Sequence, residues 1–185
     1  ILIYASVNEI DPVICVNKID LDDEGILKEC QKVYETAGFA VIPTNGKTGA
    51  GAELLRQHLA GKITVFAGQS GVGKSTLLNA IAGKEFMETG EMSRIDRGKH
   101  TTRHAELFEL ESGGYIADTP GFSALEIRDI QANLLWSHYP EFLKYEGHCR
   151  FRGCSHINEP ECAIKTAVEK GELSSDRYLR YIELY

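Results

Sequence analysis

The sequence predicts an α/β fold, in which a parallel sheet is covered by helices, followed by a smaller helical module. In the first half of the chain, short apolar runs alternate with amphipathic stretches, which is the pattern of such a sheet. From Ile130 onward the sequence instead becomes aromatic, charged and rich in cysteine and histidine. We therefore predict a boundary near residues 128–132, with one domain over residues 1–129 and a subdomain over residues 130–185.

The composition is that of an ordinary globular protein. The 185 residues include 20 Lys and Arg against 27 Asp and Glu, a net charge of −7, and 43% are hydrophobic. The acidic total argues against nucleic-acid binding over the whole surface but leaves room for a local basic patch. No apolar run approaches the roughly 20 residues of a membrane span, and the first residues lack the basic flank and cleavage site of a signal peptide. We expect a cytoplasmic protein without a membrane partner, whose five cysteines are thiols or metal ligands rather than disulfides.

Local patterns place the individual elements along the chain. Short apolar runs predict strands at Ile1–Ala5, Pro12–Val16, Ala40–Pro43, Ile63–Ala67, His104–Leu110 and Gly114–Ala117. Amphipathic stretches predict helices at Asp23–Ala37, Ala52–Leu59, Lys74–Ala82, Ala163–Lys170 and Ser175–Tyr185. Only Ser6 to Asp11 separate the first two strands, whereas a crossover between parallel neighbours needs about a dozen residues. Either these strands are not parallel neighbours or residues are absent between them, and we favour the second interpretation.

The strongest local signal is Gly-Gln-Ser-Gly-Val-Gly-Lys-Ser at residues 68–75, between an apolar strand and a predicted helix. In a phosphate-binding loop, glycines let backbone N–H groups face phosphate oxygens, and the helix N-terminus favours the anion. Lys74 would reach the β and γ phosphates, while the Ser75 hydroxyl would bind Mg²⁺. The predicted nucleotide contacts are Gly68, Gln69, Ser70, Gly71, Val72, Gly73, Lys74, Ser75 and Thr76. The alternative is a glycine-rich turn that merely precedes Lys-Ser.

Residues 17–20 carry the signal for the base. Asn17, Lys18 and Asp20 directly follow an apolar run, where the carboxyl end of a strand would present them to a ligand. A carboxylate at Asp20 accepts hydrogen bonds from both N1–H and the exocyclic N2–H₂ of guanine, whereas adenine offers no matching pair of donors. The pattern therefore predicts guanine, although by itself it is also common in turns.

A second loop, at residues 44–48, follows the next predicted strand. Its first three residues, Thr44, Asn45 and Gly46, fit a second contact with the base. The same composition is also that of any tight turn.

Two further segments fit a site for a triphosphate and a metal ion. Asp118 follows an apolar strand, where it could hold Mg²⁺ through water, and the N–H of Gly121 could sense a γ-phosphate. The polar segment Arg97–Arg103 has no periodicity and predicts a mobile loop. A threonine in it could bind Mg²⁺ when a triphosphate is present. Either Thr101 or Thr102 fits, and we favour Thr102.

A cluster of metal-binding side chains lies in the C-terminal part of the chain. Cys149, Cys154, His156 and Cys162 are spaced as C-x4-C-x-H-x5-C. Three thiolates and one imidazole suit a closed tetrahedral Zn²⁺ site. Because the spacing is not that of a standard zinc finger, the residues alone leave open that these are buried thiols and a surface histidine. His148 is a rival ligand if His156 points away.

Basic and aromatic residues surround this cluster. Such side chains could contact RNA phosphates and bases, or they could form a solvated basic face. They are Lys144, Tyr145, His148, Arg150, Phe151 and Arg152.

The order of the nucleotide elements is unusual. The elements for the base, at residues 17–20 and 44–48, precede the phosphate loop at residues 68–75, whereas in most Ras-like GTPases the phosphate loop comes first. Circular permutation gives this order and is feasible because domain termini often lie close together. The predicted fold is therefore a P-loop NTPase, a circularly permuted Ras-like GTPase domain, with a small C-terminal α-helical zinc-binding subdomain.

The permuted chain also contains Gly-Lys-His-Thr-Thr at residues 98–102, Asp-Thr-Pro-Gly-Phe-Ser at residues 118–123 and the Cys/His cluster. Together with the permuted order, these motifs resemble the bacterial RsgA (YjeQ) family of ribosome small subunit-dependent GTPases. The resemblance covers nearly the whole chain. It implies a Mg²⁺-dependent enzyme that hydrolyses GTP to GDP and phosphate and acts as a late assembly factor activated by the small ribosomal subunit. It also implies a zinc site with this ligand spacing, and rRNA and ribosomal proteins as partners.

The same resemblance implies an N-terminal OB-fold domain, which nothing in this sequence represents, so we do not expect its RNA binding here. The family also has a helix between its first strand and the base-reading strand, which Ser6 to Asp11 are too few to form. We therefore expect that segments are missing from the sequence, and we expect a monomer.

The residue after the Asp118–Gly121 segment bears on catalysis. Many GTPases place a water-orienting glutamine there, but this chain has Phe122, whose ring cannot hold water by hydrogen bonding. Intrinsic turnover should therefore be slow, with the missing group supplied by His100 or by the ribosome. The alternative function is a zinc-dependent RNA-binding module with a weak or decayed nucleotide site.

Overall fold

A computed structural model describes residues 1–82, 106–118 and 130–185 of the chain. These residues form two compact units. One unit contains residues 1–13, 28–40 and 130–185, and the other contains residues 14–27, 41–82 and 106–118. The boundary predicted near residues 128–132 falls partly outside the described residues and stays a prediction.

The described residues contain both helices and strands, in an alternating order over the first half of the chain. The α-helices are α1 (Leu2–Val7), α2 (Ile26–Thr36), α3 (Ala52–Leu59), α4 (Lys74–Ala82), α5 (Pro140–Leu143), α6 (Ala163–Glu169) and α7 (Ser175–Leu184). The strands are β1 (Val13–Val16), β2 (Ala40–Pro43), β3 (Ile63–Val65), β4 (Glu106–Glu109) and β5 (Tyr115–Asp118). Short 3-10 helices span Ile19–Leu21 and Ala132–His138. None of these helices is long and apolar enough to cross a bilayer.

The strand predicted at Ile1–Ala5 is wrong, because these residues belong to the helix α1. The N–H of Ala5 bonds to the carbonyl of Ile1 at 2.9 Å, which is a helical hydrogen bond. A short run of consecutive apolar residues carries no periodicity that could distinguish a helix from a strand. Without a first strand there is no crossover to complete, so the short spacing no longer implies that residues are absent between Ser6 and Asp11.

The strands form two sheets within the described residues, one of β1 and β2 and one in the order β3-β5-β4. Strands β3 and β5 are parallel, with Thr64 opposite Ile116. The prediction of a parallel sheet is wrong for β4, which runs antiparallel to β5. The reason is the short connection, in which the N–H of Leu110 bonds to the carbonyl of Gly114 at 2.9 Å. So few residues can join only antiparallel strands.

The core of the unit that contains the strands lies between α3, α4 and the sheet residues. Its buried apolar residues include Val41, Ile42, Ala52, Leu55, Leu59, Leu77, Leu78, Ile81 and Ile116. Arg56 on α3 donates from Nε to the carbonyl of Ile81 at 2.8 Å and from a terminal nitrogen to that of Ala80 at 2.6 Å. These bonds satisfy carbonyls at the last turn of α4 and so fix the helix that begins at the phosphate loop.

The other unit has its own aromatic core. Its buried members are Ile3, Leu135, Tyr139, Phe142, Cys154, Cys162, Ile164, Ala167, Leu173 and Tyr181. A buried ion pair joins Arg177 to Glu141. The guanidinium of Arg177 also lies 5.1 Å from the ring centre of Tyr139 and 5.4 Å from that of Phe39. Stacked rings and a carboxylate together compensate a cation that would be costly to bury alone.

Candidate nucleotide site and metal centre

The predicted phosphate loop connects β3 to α4 and depends on glycine at two positions. Gly71 has a φ of +81° and Gly73 a φ of +92°, which side-chain-bearing residues rarely adopt. A Cβ at Gly73 would lie 2.5 Å from Nδ2 of Asn17. Glycine at residue 73 therefore permits both the turn of the loop and the close approach of the base-reading residues.

The side chain of Lys74 lies against the backbone of the predicted phosphate loop. Its ammonium donates to the carbonyls of Gly68 at 2.7 Å and Gln69 at 2.9 Å. A bound phosphate would compete with these carbonyls for the same ammonium protons. Ser75 and Thr76 follow in the first turn of α4, where backbone N–H groups precede the first helical hydrogen bonds. The arrangement therefore gathers a positive charge and helix-terminal donors in one place, as an anion site requires.

The side chains of Asn17 and Lys18 donate hydrogen bonds to carbonyls of the phosphate loop. Nδ2 of Asn17 donates to the carbonyl of Val72 at 2.9 Å, and the ammonium of Lys18 donates to that of Gly71 at 2.7 Å. The sequence predicted both residues only as part of the base-reading string. The structure shows that they also join that string to the loop more than fifty residues away.

The second loop packs onto Asn17. Oδ1 of Asn17 accepts from the N–H of Gly46 at 3.1 Å and from the hydroxyl of Thr44 at 3.3 Å. Thr44 is fully buried, and its N–H bonds to the carbonyl of Val16 at 2.8 Å. Asn17 therefore connects the phosphate loop to the second loop, so that the three predicted segments form one continuous site.

Asn45 orients the carboxylate that is predicted to read the base. Its Nδ2 donates to Oδ1 of Asp20 at 2.8 Å, while its own Oδ1 accepts from the N–H groups of Lys47 and Thr48. A carboxylate offers about four acceptor positions. The bond from Asn45 therefore fixes the direction of exposed Asp20 and leaves capacity for the two donors of guanine.

Part of the predicted catalytic site lies outside the described residues. This applies to His100, Thr101, Thr102 and Gly121. Asp118 ends β5, at the carboxyl end that the sequence predicted, but its side chain is also outside the described part. The roles of these residues stay predictions.

The four predicted zinc ligands come together in the unit that contains residues 130–185. The ligand atoms of Cys149, Cys154, His156 and Cys162 all lie within 4.8 Å of one another. Nδ1 of His156 lies 3.4 Å from Sγ of Cys162 and 3.6 Å from Sγ of Cys149. Tetrahedral zinc bonded to sulfur and nitrogen places neighbouring ligand atoms roughly 3.5–3.8 Å apart. Because His156 is buried in the group and His148 is exposed, the rival assignment of His148 is not supported.

Burial disfavours the charged thiolate form of these cysteines when no cation lies beside them. It raises the pKa of Cys154 to about 12 and also raises the pKa of Cys162. It lowers the pKa of His156, so this ring is neutral at physiological pH. A neutral imidazole beside buried sulfurs is the donor set that Zn²⁺ uses, because the cation compensates the thiolate charges.

The basic and aromatic residues near the cluster lie at the surface. Phe151 is 44% exposed, with the guanidinium of Arg150 5.5 Å from its ring centre. Arg150 is also paired with Glu161. The ammonium of Lys144 lies 4.9 Å from the ring centre of Tyr145. These contacts are compatible with both interpretations of the patch, a surface for RNA and a solvated face.

A phosphate loop joined to base-reading segments that precede it along the chain defines a circularly permuted P-loop domain of the GTPase type. The model of the RsgA GTPase family matches residues 1–128. The chain belongs to this family.

Curated relatives and solved structures agree with this membership. The chain is 55% identical to the small ribosomal subunit biogenesis GTPase RsgA of Ruminiclostridium cellulolyticum, over all of this chain and 61% of the relative. It is 43% identical to the protein of the same name from Caldanaerobacter subterraneus, over 99% of this chain and 62% of the relative. The crystal structure of YjeQ from Thermotoga maritima superposes with a TM-score of 0.77 at 39% identity, over 99% of this chain and 62% of that one. The structure of YloQ, a circularly permuted GTPase, gives 0.77 at 41% identity, over 99% and 58%. The chain thus spans about three fifths of the length of these relatives.

We expect Gly73→Ala to weaken nucleotide binding by more than roughly tenfold, because a Cβ there strains the loop and collides with Asn17. Gly71→Ala is the matched control, since its φ is also positive but a Cβ there would meet nothing within 4 Å. It should show a smaller loss, due to backbone strain alone. Dissociation constants for GDP measured by calorimetry compare the two. Equal losses would mean that the contact with Asn17 does not matter.

Proposed function

We propose that this chain binds GTP and hydrolyses it to GDP and phosphate during late assembly of the small ribosomal subunit in the cytoplasm. The observation that carries the proposal is the position of Asn17, which bonds both to the phosphate loop and to the second loop. Asp20, three residues further on, accepts a hydrogen bond from Asn45, and its remaining acceptor positions would bind guanine. The names of the relatives, which are small ribosomal subunit biogenesis GTPases, support the cellular role.

The predicted site residues, some of them outside the described part of the chain, would together hold the triphosphate. Backbone N–H groups of the phosphate loop would surround the β-phosphate, and Lys74 would neutralise charge on the β and γ phosphates. Ser75 would hold Mg²⁺, together with Thr102 and, through water, Asp118. The cation would neutralise charge that develops on the phosphate oxygens. The N–H of Gly121 would contact the γ-phosphate.

The chain by itself lacks the glutamine that commonly orients the attacking water. Phe122 stands where a glutamine commonly orients water, and a phenyl ring cannot do so. We propose that His100 or a group on the small ribosomal subunit completes the site. Turnover by the isolated chain should therefore be slow.

We further propose that Cys149, Cys154, His156 and Cys162 hold a structural zinc ion, which would stabilise the unit that contains residues 130–185. Four protein ligands fill a tetrahedral site and leave no open position for catalysis. The neighbouring basic and aromatic patch would then contact rRNA, with phosphates bound by Lys144 and Arg152 and a base stacked on Phe151. We propose that the chain acts as a monomer, with ribosomal RNA and ribosomal proteins as partners.

GTP hydrolysis with and without purified small ribosomal subunits tests this function. We expect slow release of phosphate from GTP alone, a large stimulation by subunits and no turnover of ATP. Lys74→Ala, which removes the charge at the phosphates, serves as the blank. Unstimulated GTP turnover would mean that subunit recognition lies outside this chain. Absence of GTP turnover would favour the RNA-binding module with a decayed nucleotide site.

A further inference from the structure

One zinc-ligand residue, His156, has an unusual backbone conformation. Its φ is +62°, in the left-handed region that residues with a Cβ rarely occupy. Such a conformation persists only when the surrounding structure imposes it. The contacts of the neighbouring peptide groups show what imposes it.

Glu159 binds the backbone on both sides of His156. Its Oε1 accepts from the N–H of Ser155 at 2.8 Å, and its Oε2 accepts from the N–H of Ile157 at 3.3 Å. Oε2 also accepts from the hydroxyl of Ser155 at 2.9 Å. The N–H of Ser155 is the main cause that lowers the pKa of Glu159 to about 2, so the carboxylate is ionised at neutral pH.

Two tyrosines of α7 bind the carbonyls of the same segment. The hydroxyl of Tyr178 donates to the carbonyl of His156 at 2.7 Å, and that of Tyr181 donates to the carbonyl of Ser155 at 2.6 Å. Residues three apart on a helix share one face, which allows both hydroxyls to reach the segment. Glu159 and the two tyrosines therefore hold two N–H groups and two carbonyls around His156.

We propose that Glu159 and Tyr178 are positioning residues of the metal centre, which fix the backbone of His156 so that Nδ1 faces the three sulfurs before the metal binds. The inference rests on the proposed zinc site and goes beyond its ligands. A preformed ligand loses less conformational freedom on binding, which favours affinity for the ion. Partners behind the ligands commonly change metal affinity by roughly 10–100-fold.

Competition with a chromophoric zinc chelator tests this inference on the purified chain. Glu159→Gln keeps the size of the side chain but turns an amide toward N–H groups, and it should weaken zinc affinity roughly 10–100-fold. Tyr178→Phe removes a single oxygen and should weaken the affinity by roughly tenfold. Matched controls are Glu172→Gln, at a carboxylate that accepts from Tyr145 instead, and Tyr185→Phe, at an exposed residue that directly follows α7. Both controls should stay within about twofold of the parent chain.

Cobalt gives a readout that general destabilisation would not produce. Co²⁺ bound by three sulfurs and one imidazole absorbs visible light with an intensity that depends on tetrahedral geometry. We expect weaker absorption at saturating Co²⁺ in Glu159→Gln and Tyr178→Phe than in the controls. If Glu159→Gln does not fold, Tyr178→Phe decides.

The outcomes separate the two proposals. Zinc affinity and cobalt spectra that match the parent in folded variants would overturn the positioning role while the zinc site stands. If the parent chain itself binds no zinc, the metal centre is overturned.

Discussion

Asp20→Asn is expected to lower the affinity of the chain for GTP by roughly 10–100-fold, because it replaces a charged acceptor with an amide. The amide nitrogen would then face the exocyclic N2–H₂ of guanine, so that two donors oppose each other. Xanthine carries a carbonyl at that position and should gain affinity. Displacement of a fluorescent GDP analogue by GTP, XTP and ATP measures the change.

Asp22→Asn is the matched control for the change in base preference expected of Asp20→Asn. Asp22 lies two residues further on, but its carboxylate accepts from the N–H groups of Ile26 and Leu27 at 2.7 and 3.1 Å and so caps α2. Asparagine keeps only one of these two acceptors, so α2 should lose some stability, but base preference should not change because Asp20 is untouched. Should Asp20→Asn bind GTP and ATP as the parent does, the site would not read guanine through this carboxylate.

The position of the candidate nucleotide-binding segments in the fold was predictable where the signal is local. The phosphate loop and the base-reading string each combine a few residue types with the end of an apolar strand, and both lie where the sequence placed them. The contacts of Asn17 and Lys18 with Val72 and Gly71 were not predicted. They depend on the distance in space between segments far apart along the chain, which no local pattern encodes.

Errors in the predicted fold have equally local causes. The run Ile1–Ala5 is apolar throughout, so its sequence has no period that could distinguish a helix from a strand. The direction of β4 depends on the turn before Gly114 rather than on strand composition. Two other helices have the predicted bounds: Ala52–Leu59 has a clear apolar stripe, and Lys74–Ala82 begins directly at the phosphate loop.

The proposed metal centre shows the same difference between what residue types reveal and what their surroundings decide. The sequence predicted four ligands, His156 among them, but left His148 as a rival, because the choice between the two histidines depends on burial. Nor did it indicate Tyr178 or Glu159, whose roles follow from hydrogen bonds to the backbone of the ligand loop. Such residues carry no motif, since many side chains can bind a peptide group.

Cys162→Ser is expected to lower the thermal midpoint of unfolding by roughly 10–20 °C, because the proposed zinc ion contributes several kcal/mol to stability. Cys162 is 2% exposed and belongs to the aromatic core of its unit, next to the first residue of α6. Serine there would leave a buried hydroxyl and a poorer zinc ligand. Circular dichroism melts of the zinc-loaded chain measure the midpoint.

Cys30→Ser separates loss of the metal from loss of a thiol. Cys30 is half-buried on α2 and is not one of the four clustered residues. The thermal midpoint of the Cys30→Ser variant should therefore fall by only a few degrees. A strong chelator should lower the midpoint of the parent and of Cys30→Ser but add little to Cys162→Ser, because the same ion cannot be lost twice. If the chelator leaves the parent unchanged, then burial of the thiols alone stabilises this unit and the zinc assignment fails.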